Sequence, residues 1–314
     1  MNKVFKHILV LTAGIFAVSC NLDQVSEIYV PENDEPNMLY SVFNELELEA
    51  SLETIAIPLS RAKSEKELTV DLDILLPAGI TTTGTAGTPD EKGNTLYKSV
   101  ATFAAGSPTT NVVLDISAME VGSQYAGKIS FADSTQVNVN TATFSCSFKL
   151  AKAYTWTSLG EGEWFDQLAL MSSDSYGIQK VEVLKAEGYE RYRIMNPYAN
   201  TDQLTAAWGA ECVGGAKSSH IEFWVLEDGS HVTWDGWWYP GLLYDGEGTE
   251  IKGYYPSSLH ASLAAEDAKS KFLDEKVVGL YPYYYIDAMG GGFGTVLCAL
   301  SLPGGPDLEA WLNE

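Results

Sequence analysis

Positive charge is scarce in this chain. Its 19 lysines and arginines face 42 aspartates and glutamates, a net charge of −23 over 314 residues. The basic residues form no block, which excludes binding to nucleic acid or to anionic lipid by charge, because both need clustered Lys or Arg against phosphates. Cysteine is sparse as well, four in all, and the three beyond Cys20 are an odd number, which argues against a disulfide framework. There are four histidines, one of them His7 near the amino terminus, too few to suggest a zinc centre of three or four ligands. After residue 20 no apolar run approaches the roughly 20 residues of a membrane-spanning helix. Motifs specific to a reaction are missing too: no Gly-x-Ser-x-Gly elbow, Walker loop, dinucleotide-binding glycine run after a strand, or His-Glu-x-x-His. Gly290-Gly-Gly-Phe-Gly294 precedes a strand pattern instead of opening a helix, and reads as a flexible turn. Nothing calls for a metal or a cofactor.

What is present begins at the amino terminus. Lys3 and Lys6 form a positive start, Ile8 to Val18 an apolar run too short to span a bilayer, and Ala17-Val18-Ser19 a small-residue lead into Cys20. That is the layout of an export signal. The run Ala17-Val18-Ser19-Cys20 resembles a bacterial lipobox, in which the cysteine is acylated and the signal is cut just before it. The resemblance implies that residues 1–19 are a lipoprotein signal peptide, that Cys20 is the lipidation site, and that a lipid anchor is the membrane partner. Two or more acyl chains make such anchoring stable. Removing residues 1–19 takes away two lysines and no acid, leaving 17 basic against 42 acidic side chains, a charge of −25. Such a charge favours solubility at a crowded surface.

Residues 20–37 read as an acidic tether, with Asp23, Glu27, Glu32, Asp34, Glu35 and two prolines. Acids just behind the lipid cysteine resemble the sorting signals that carry lipoproteins to the outer leaflet in some Gram-negative groups. An outer-membrane lipoprotein of the cell envelope, exposed at the surface, is the expectation, with inner versus outer leaflet left open.

From residue 38 to 150 the period is two. In Glu45 to Leu52 the apolar residues fall on even positions, whereas Ile55, Ile57 and Leu59 fall on odd ones, so a bulge or turn is predicted at Glu53-Thr54. Runs at 68–74, 99–103, 112–116, 125–131 and 141–148 follow, separated by turn-rich pieces such as Pro77 to Gly93. Seven or so short strands without a convincing helix predict a β-sandwich. Leu68 to Ile74, the Gly84-Thr85-Ala86 turn, and Val100 to Gly106 running into Val112 to Ile116 resemble the Calx-beta module, an immunoglobulin-like sandwich. Some members of that family bind calcium through clustered acids. Here Glu32, Asp34, Glu35, Asp71, Asp73, Asp90 and Glu91 are scattered, and calcium needs six to eight convergent oxygens, so a solvated edge is the reading and a spacer the role.

From 151 to 314 the composition shifts to a β-rich, aromatic domain, sandwich or barrel. Seven of the eight tryptophans lie in the second half of the chain. Strands are predicted at 154–156, 179–184, 189–195, 221–226, 231–234 and 295–302, with glycine-rich breaks at 209–215 and 290–294. One minor helix is predicted at about 261–278, from Ala264, Ala268 and Phe272 on one face and Gly279 as a stop. Cys146 and Cys298 alternate with apolar neighbours and read as buried thiols; whether Cys212 and Cys298 pair is left open. A lipobox, a tether, a sandwich and an aromatic terminal domain together resemble the surface lipoproteins of bacterial glycan-uptake systems. The resemblance implies a binding role.

The densest feature is Thr233-Trp-Asp-Gly-Trp-Trp-Tyr239, followed by Tyr244, Asp245, Tyr254 and Tyr255 and later by Tyr281, Tyr283, Tyr284 and Tyr285. Sugar rings stack their C–H faces on flat aromatic rings and need acceptors for their hydroxyls. Large aromatics also serve as β-domain core. In a strand Trp237 and Tyr239 fall on one face and Trp238 on the other, so one side is wet. Trp234, Asp235, Trp237, Trp238, Tyr239 and Tyr244 are accordingly the expected ligand-binding residues, and the expected ligand is a glycan. His220 and Glu222, two apart on one strand, read as ordinary hydrogen-bonded side chains, and Asp245 to Glu250 as a hairpin loop. Two alternatives stay open. Glu161, Glu163 and Asp166 around Trp164 would suit a glycoside hydrolase with paired carboxylates, and an aromatic face would also suit an adhesion or structural subunit meeting another envelope protein.

Overall fold

A computed structural model describes residues 45–61, 64–132, 145–244 and 248–314. Cys20, the acidic tether and Asp245 lie outside the described residues. The architecture is mainly β, and the chain divides into two compact units, 1–153 and 154–314.

Alternation builds the first unit. Its strands are β1 (Leu46–Leu48), β2 (Thr54–Ser60), β3 (Leu68–Leu76), β4 (Thr81–Thr82), β5 (Thr85–Ala86), β6 (Thr95–Phe103), β7 (Thr109–Asp115), β8 (Gln124–Phe131) and β9 (Ser145–Lys152). They form two sheets, ordered β1-β9-β8-β3-β6-β5 and β2-β7-β4. On β3, Val70, Leu72, Ile74 and Leu76 point inward while Thr69, Asp71 and Leu75 stay in solvent. Ile57, Leu59 and Leu114 of the smaller sheet join Leu72, Ile74, Phe103 and Ile129 of the larger one in a single core, which makes a sandwich. The phase slip at Glu53-Thr54 now has a cause. Leu52 N–H closes a turn on the Glu49 carbonyl at 3.0 Å, and the chain passes there from the larger sheet to the smaller. Leu48 and Ile57, of opposite parity, therefore reach the same core from opposite sides. Of the acids considered for calcium, Asp73 is taken by Lys98 at 2.6 Å, and Asp90 accepts from the backbone of Lys92 and Asn94, both at 2.8 Å. The predicted strand at 141–148 begins outside the described residues; β9 carries it on from Ser145, with Cys146 buried.

The second unit holds all eight tryptophans. Its strands are β10 (Trp156–Asp166), β11 (Gln179–Ala186), β12 (Arg191–Met195), β13 (Val213–Lys217), β14 (His220–Val225), β15 (Val232–Thr233), β16 (Trp237–Trp238), β17 (Pro240–Leu242), β18 (Lys252–Tyr254), β19 (Lys271–Asp274), β20 (Val277–Leu280), β21 (Tyr283–Ile286), β22 (Gly291–Thr295) and β23 (Cys298–Ser301). An eight-stranded sheet, β15-β14-β12-β11-β10-β23-β20-β19, packs against a four-stranded one, β16-β18-β21-β22. Trp164, Val183, Ile194 and Phe223 from the first meet Trp234, Trp238, Tyr255 and Tyr284 in one core. Around β10, β20 and β23 the larger sheet is covered on its other face as well, where Phe165, Val277 and Ala299 pack with Leu308 of the C-terminal turn Leu308–Leu312. Beyond β11 in the same sheet, β12 and β14 have no such apolar cluster on that face among the described residues, and their outer side chains stay half exposed.

Two local expectations are corrected. The helix predicted at 261–278 is instead a series of single turns up to Asp267 followed by the hairpin β19–β20. Phe272 pairs across it with Val278, and burial of Val277, Val278 and Leu280 outweighs the helix propensity of the segment. The longest helix among the described residues lies elsewhere: α1 (Thr201–Trp208) starts where the Asn200 side chain accepts from Gln203 N–H at 3.1 Å. The glycines after Met289 do not make a flexible turn. Gly290 ends the single turn Asp287–Met289 with φ 63°, while Gly291, Gly292 and Gly294 lie in β22, and at Gly292 a Cβ would sit 2.1 Å from the Tyr284 carbonyl oxygen, so only glycine lets the strands close.

At the end of β10, Asp166 is fully buried. Its Oδ1 accepts the backbone N–H of Leu168 and Ala169 at 2.9 and 3.0 Å. Its Oδ2 accepts the hydroxyls of Tyr198, at 2.6 Å, and of Tyr284. Trp238 Nε1 in turn donates to Tyr284 Oη at 3.2 Å. Burial pushes the Asp166 carboxyl up, against the pull of the tyrosine and backbone hydrogen bonds. Burial and the Asp166 charge push both tyrosines well up. The sign follows from linkage: a carboxyl that holds its proton more tightly folded than unfolded makes stability fall as pH rises from about 3.9 through the raised value. In urea titrations across pH 4–8, the wild type is therefore expected to lose stability relative to Asp166→Asn as pH rises, and parallel pH profiles would refute the raised carboxyl.

Candidate functional site

Strand parity decides what the four-stranded sheet shows to solvent. Trp238, Gly253 and Tyr284 are cross-strand partners on the inner face, and a Cβ on Gly253 would come within 2.9 Å of the Trp238 ring. Trp237, Tyr254 and Tyr283, one residue away on each strand, form the matching row on the outer face. Trp237 is 48% exposed, against 3% for Trp238. Its ring lies 5.4 Å from that of Tyr254, which meets Tyr285 edge-on at 6.2 Å. Lys252 places its ammonium 5.0 Å from the Trp237 ring centre and 5.4 Å from that of Tyr239. The same ammonium pairs with Asp287 at 2.5 Å, and Tyr254 donates its hydroxyl to Asp287 at 2.9 Å. The Asp287 hydrogen bond raises the Lys252 ammonium well above its ordinary value. Burial works against the Asp287 charge, but Lys252 and Tyr254 outweigh it and hold the carboxyl low. The outcome is a rigid aromatic surface with a fixed cation and anion at its margin.

Next to it lies the uncovered part of the eight-stranded sheet. Tyr192 and Ile194 turn into the core, so Arg191 and Arg193 must turn out. Arg191 is opposite Trp224 and Arg193 opposite Glu222. Both arginines donate Nε to Glu222, at 2.5 and 2.6 Å, one to each carboxylate oxygen. Arg191 also stacks on Trp224 at 4.0 Å and Tyr154 at 4.7 Å, and Arg193 on Trp156 at 4.0 Å. A cleft of about 220 Å³ joins this face to Trp237; Arg191, His220, Glu222, Trp224 and Asp235 line it. On the other side of the Arg191–Trp224 stack an open hollow of about 710 Å³ is bordered by Tyr154 and Tyr189. Burial and the neighbouring Arg193 depress the His220 imidazole, which keeps it neutral at pH 7. Among the described residues no group of three His, Cys, Asp or Glu side chains is placed to hold a metal ion.

The structure sorts the residues singled out from the sequence. Asp235 and Trp237 line the cleft, and Tyr239 sits half-buried beside Lys252. Trp234 and Trp238 belong to the core, although Trp238, 3% exposed, also lines the cleft: their rings pack 5.1 Å apart, and Trp234 meets Tyr255 edge-on at 4.8 Å. Tyr244 is exposed but belongs to another cluster, where it packs on Phe293 at 5.9 Å and Phe293 on Trp208 at 5.7 Å. Of the three acids around Trp164, Glu163 is engaged by Lys180 and by the Leu308 N–H, and Asp166 is the buried hub. All three described cysteines are free thiols, so Cys212 and Cys298 do not pair. Sequence reasoning passed over Arg191, Arg193 and Trp224. The signal was there, since Arg-Tyr-Arg-Ile alternates charge with core residues.

No protein-family model and no curated protein matches the chain. Among solved structures, the calcium-binding domain CBD12 of CALX1.1 is similar over 51% of this chain and 78% of that one, at 8% identity and a TM-score of 0.29. CBD12 from CALX1.2 covers the same shares at 12% identity and a TM-score of 0.27.

The opposite burial of two adjacent tryptophans is open to a direct check. Trp238→Ala should cost about 3–5 kcal/mol of unfolding free energy and Trp237→Ala no more than about 1 kcal/mol, as read by chemical denaturation. Equal costs would mean that Trp237 is core too.

Proposed function

We propose that this is a lipid-anchored binding protein of the cell envelope whose second unit recognises carbohydrate on the face around Trp237. The observation that carries the reading is that face itself. A large indole is held half exposed, beside Tyr254, Tyr283 and Tyr285, with Lys252, Asp287 and Asp235 at hand to donate to and accept from hydroxyls. An exposed aromatic platform is costly to solvate and tends to mark a recognition surface. The spacing also suits a sugar chain, because adjacent strands lie about 4.8 Å apart, so the row Trp237, Tyr254 and Tyr283 offers successive rings to successive sugar units. Polar groups within the platform are already paired, which leaves their remaining donors and acceptors fixed in place for a ligand.

The anchoring half of the reading rests on Lys3, Lys6, the apolar run and Ala17-Val18-Ser19-Cys20. No helix among the described residues is long and apolar enough to cross a membrane.

Two experiments test the halves separately. In affinity electrophoresis of the chain from Asn21 against a panel of polysaccharides, at least one polymer should retard the protein, and Trp237→Ala should weaken that binding about tenfold or more. Trp238 is left intact in this test because it belongs to the core. Retardation that survives Trp237→Ala unchanged would remove the site assignment. For the anchor, Cys20→Ser should move the protein from the membrane fraction to the soluble fraction; a membrane-bound variant would contradict lipidation at that residue.

A further inference from the structure

We propose that the glycan carries anionic substituents, carboxylate or sulfate, and that the paired guanidinium groups of Arg191 and Arg193 receive them. This rests on the carbohydrate reading of the same face and adds the chemical class of the sugar.

Three observations lead to it. The first is where the arginines are. The chain has only three, in a protein of net charge −23, and two of them stand side by side on the uncovered face of β12. The second is how they are bonded. Each gives Nε to one oxygen of Glu222, and among the described residues the Nη groups of both have no other acceptor. One carboxylate between two guanidiniums leaves a net charge of +1. The neighbouring Lys185 and Glu190 close on each other at 2.5 Å and Lys252 closes on Asp287, so the acids that border the arginines without an ion pair among the described residues are Asp235, Glu227 and Asp228, all exposed. The nearby His220, held neutral, adds no charge of its own.

The third is rigidity. Stacking on Trp224 and Tyr154 for Arg191, and on Trp156 for Arg193, fixes the guanidinium planes before any ligand arrives. Planar forks of fixed direction suit a planar carboxylate or a tetrahedral sulfate better than a mobile ammonium would. The Arg191 and Arg193 side chains are 18% and 30% exposed, so an anion docked there is partly shielded from water and salt.

Arg191 also lines both the cleft beside Trp237 and the hollow beside Tyr154. A chain stacked on Trp237 would thus run past the guanidinium. Asp235, Glu227 and Asp228 stand exposed at the rims, where they would accept hydroxyls and repel a polymer whose charge falls out of register with the arginines.

The test compares polymers that differ only in charge. By calorimetry on the chain from Asn21, polygalacturonate is set against its fully methyl-esterified form, and dextran sulfate against dextran, all at 0.15 M salt. The charged member of at least one pair should bind about tenfold or more tightly than its neutral counterpart; which pair shows it tells carboxylate from sulfate. In Arg191→Gln/Arg193→Gln/Glu222→Gln, which takes the trio from a net charge of +1 to zero and keeps amides facing each other across the strands, that ratio should fall to about one. Equal affinity of the charged and neutral members for the native chain overturns the proposal, whatever the variant does. Tight binding of neutral polymers alone would overturn it while leaving the carbohydrate reading standing. Failure to bind any polysaccharide, on this panel and the wider one, would take down the carbohydrate reading and this inference with it.

Discussion

A buried carboxylate organises the second unit. Asp166 sits where β10 ends, and its two oxygens gather two backbone N–H groups and two tyrosine hydroxyls from segments far apart in sequence. Leaving any one of those donors unpaired in the core would cost about 1–3 kcal/mol, so the cluster admits few alternative arrangements. Tyr284 brings β21 to the hub and Trp238 brings β16, through the indole N–H that Tyr284 accepts. The four-stranded sheet is thereby fixed against the eight-stranded one by direction as well as by apolar contact. Apolar packing alone is less selective, since hydrophobic attraction has no preferred orientation.

The exposure of Trp237 follows from that constraint. Adjacent residues of a strand must face opposite ways. Once Trp238 is drawn inward to Tyr284, Trp237 has only solvent to face, and Tyr254 and Tyr283 follow it by cross-strand register. The same parity works on β12, where burial of Tyr192 and Ile194 presents Arg191 and Arg193 outward. The two surfaces meet at the cleft that Trp237 and Arg191 share. Both the stacking surface and the charged surface are thus consequences of what the core takes from each strand.

How much of this could be read from the residues depended on range. Alternation in Leu68 to Leu76 was enough to identify β3 and its buried face, because a half-buried strand writes its environment into every second residue. Parity also separated Trp237 from Trp238 in advance, but could not say which of the two was wet. That was settled by the bond from Trp238 to Tyr284, 46 residues away, which no local pattern announces. Ala261 to Val278 misled for a related reason. Its apolar spacing fits a helix, and only the pairing of Phe272 with Val278 and the demand of the core for Val277 and Leu280 turn it into a hairpin. Arg191 and Arg193 were hidden by composition: in a chain so acidic, two basic residues inside an aromatic strand carry no weight until Glu222 and Trp224 are seen beside them.

Under the proposed function, carbohydrate meets one face of the second unit and not the interior of its core. Indole N–H signals report on that directly, because the tryptophans sample both environments. In ¹H–¹⁵N spectra of the uniformly labelled chain from Asn21, titrated with an oligosaccharide of a polymer that binds, the Trp237 and Trp224 indole signals should move saturably and together. Those of Trp164 and Trp234, buried and away from the cleft lining, should stay in place. Saturable binding that leaves Trp237 and Trp224 unmoved, or that shifts the buried indoles instead, would place the ligand elsewhere than on this face.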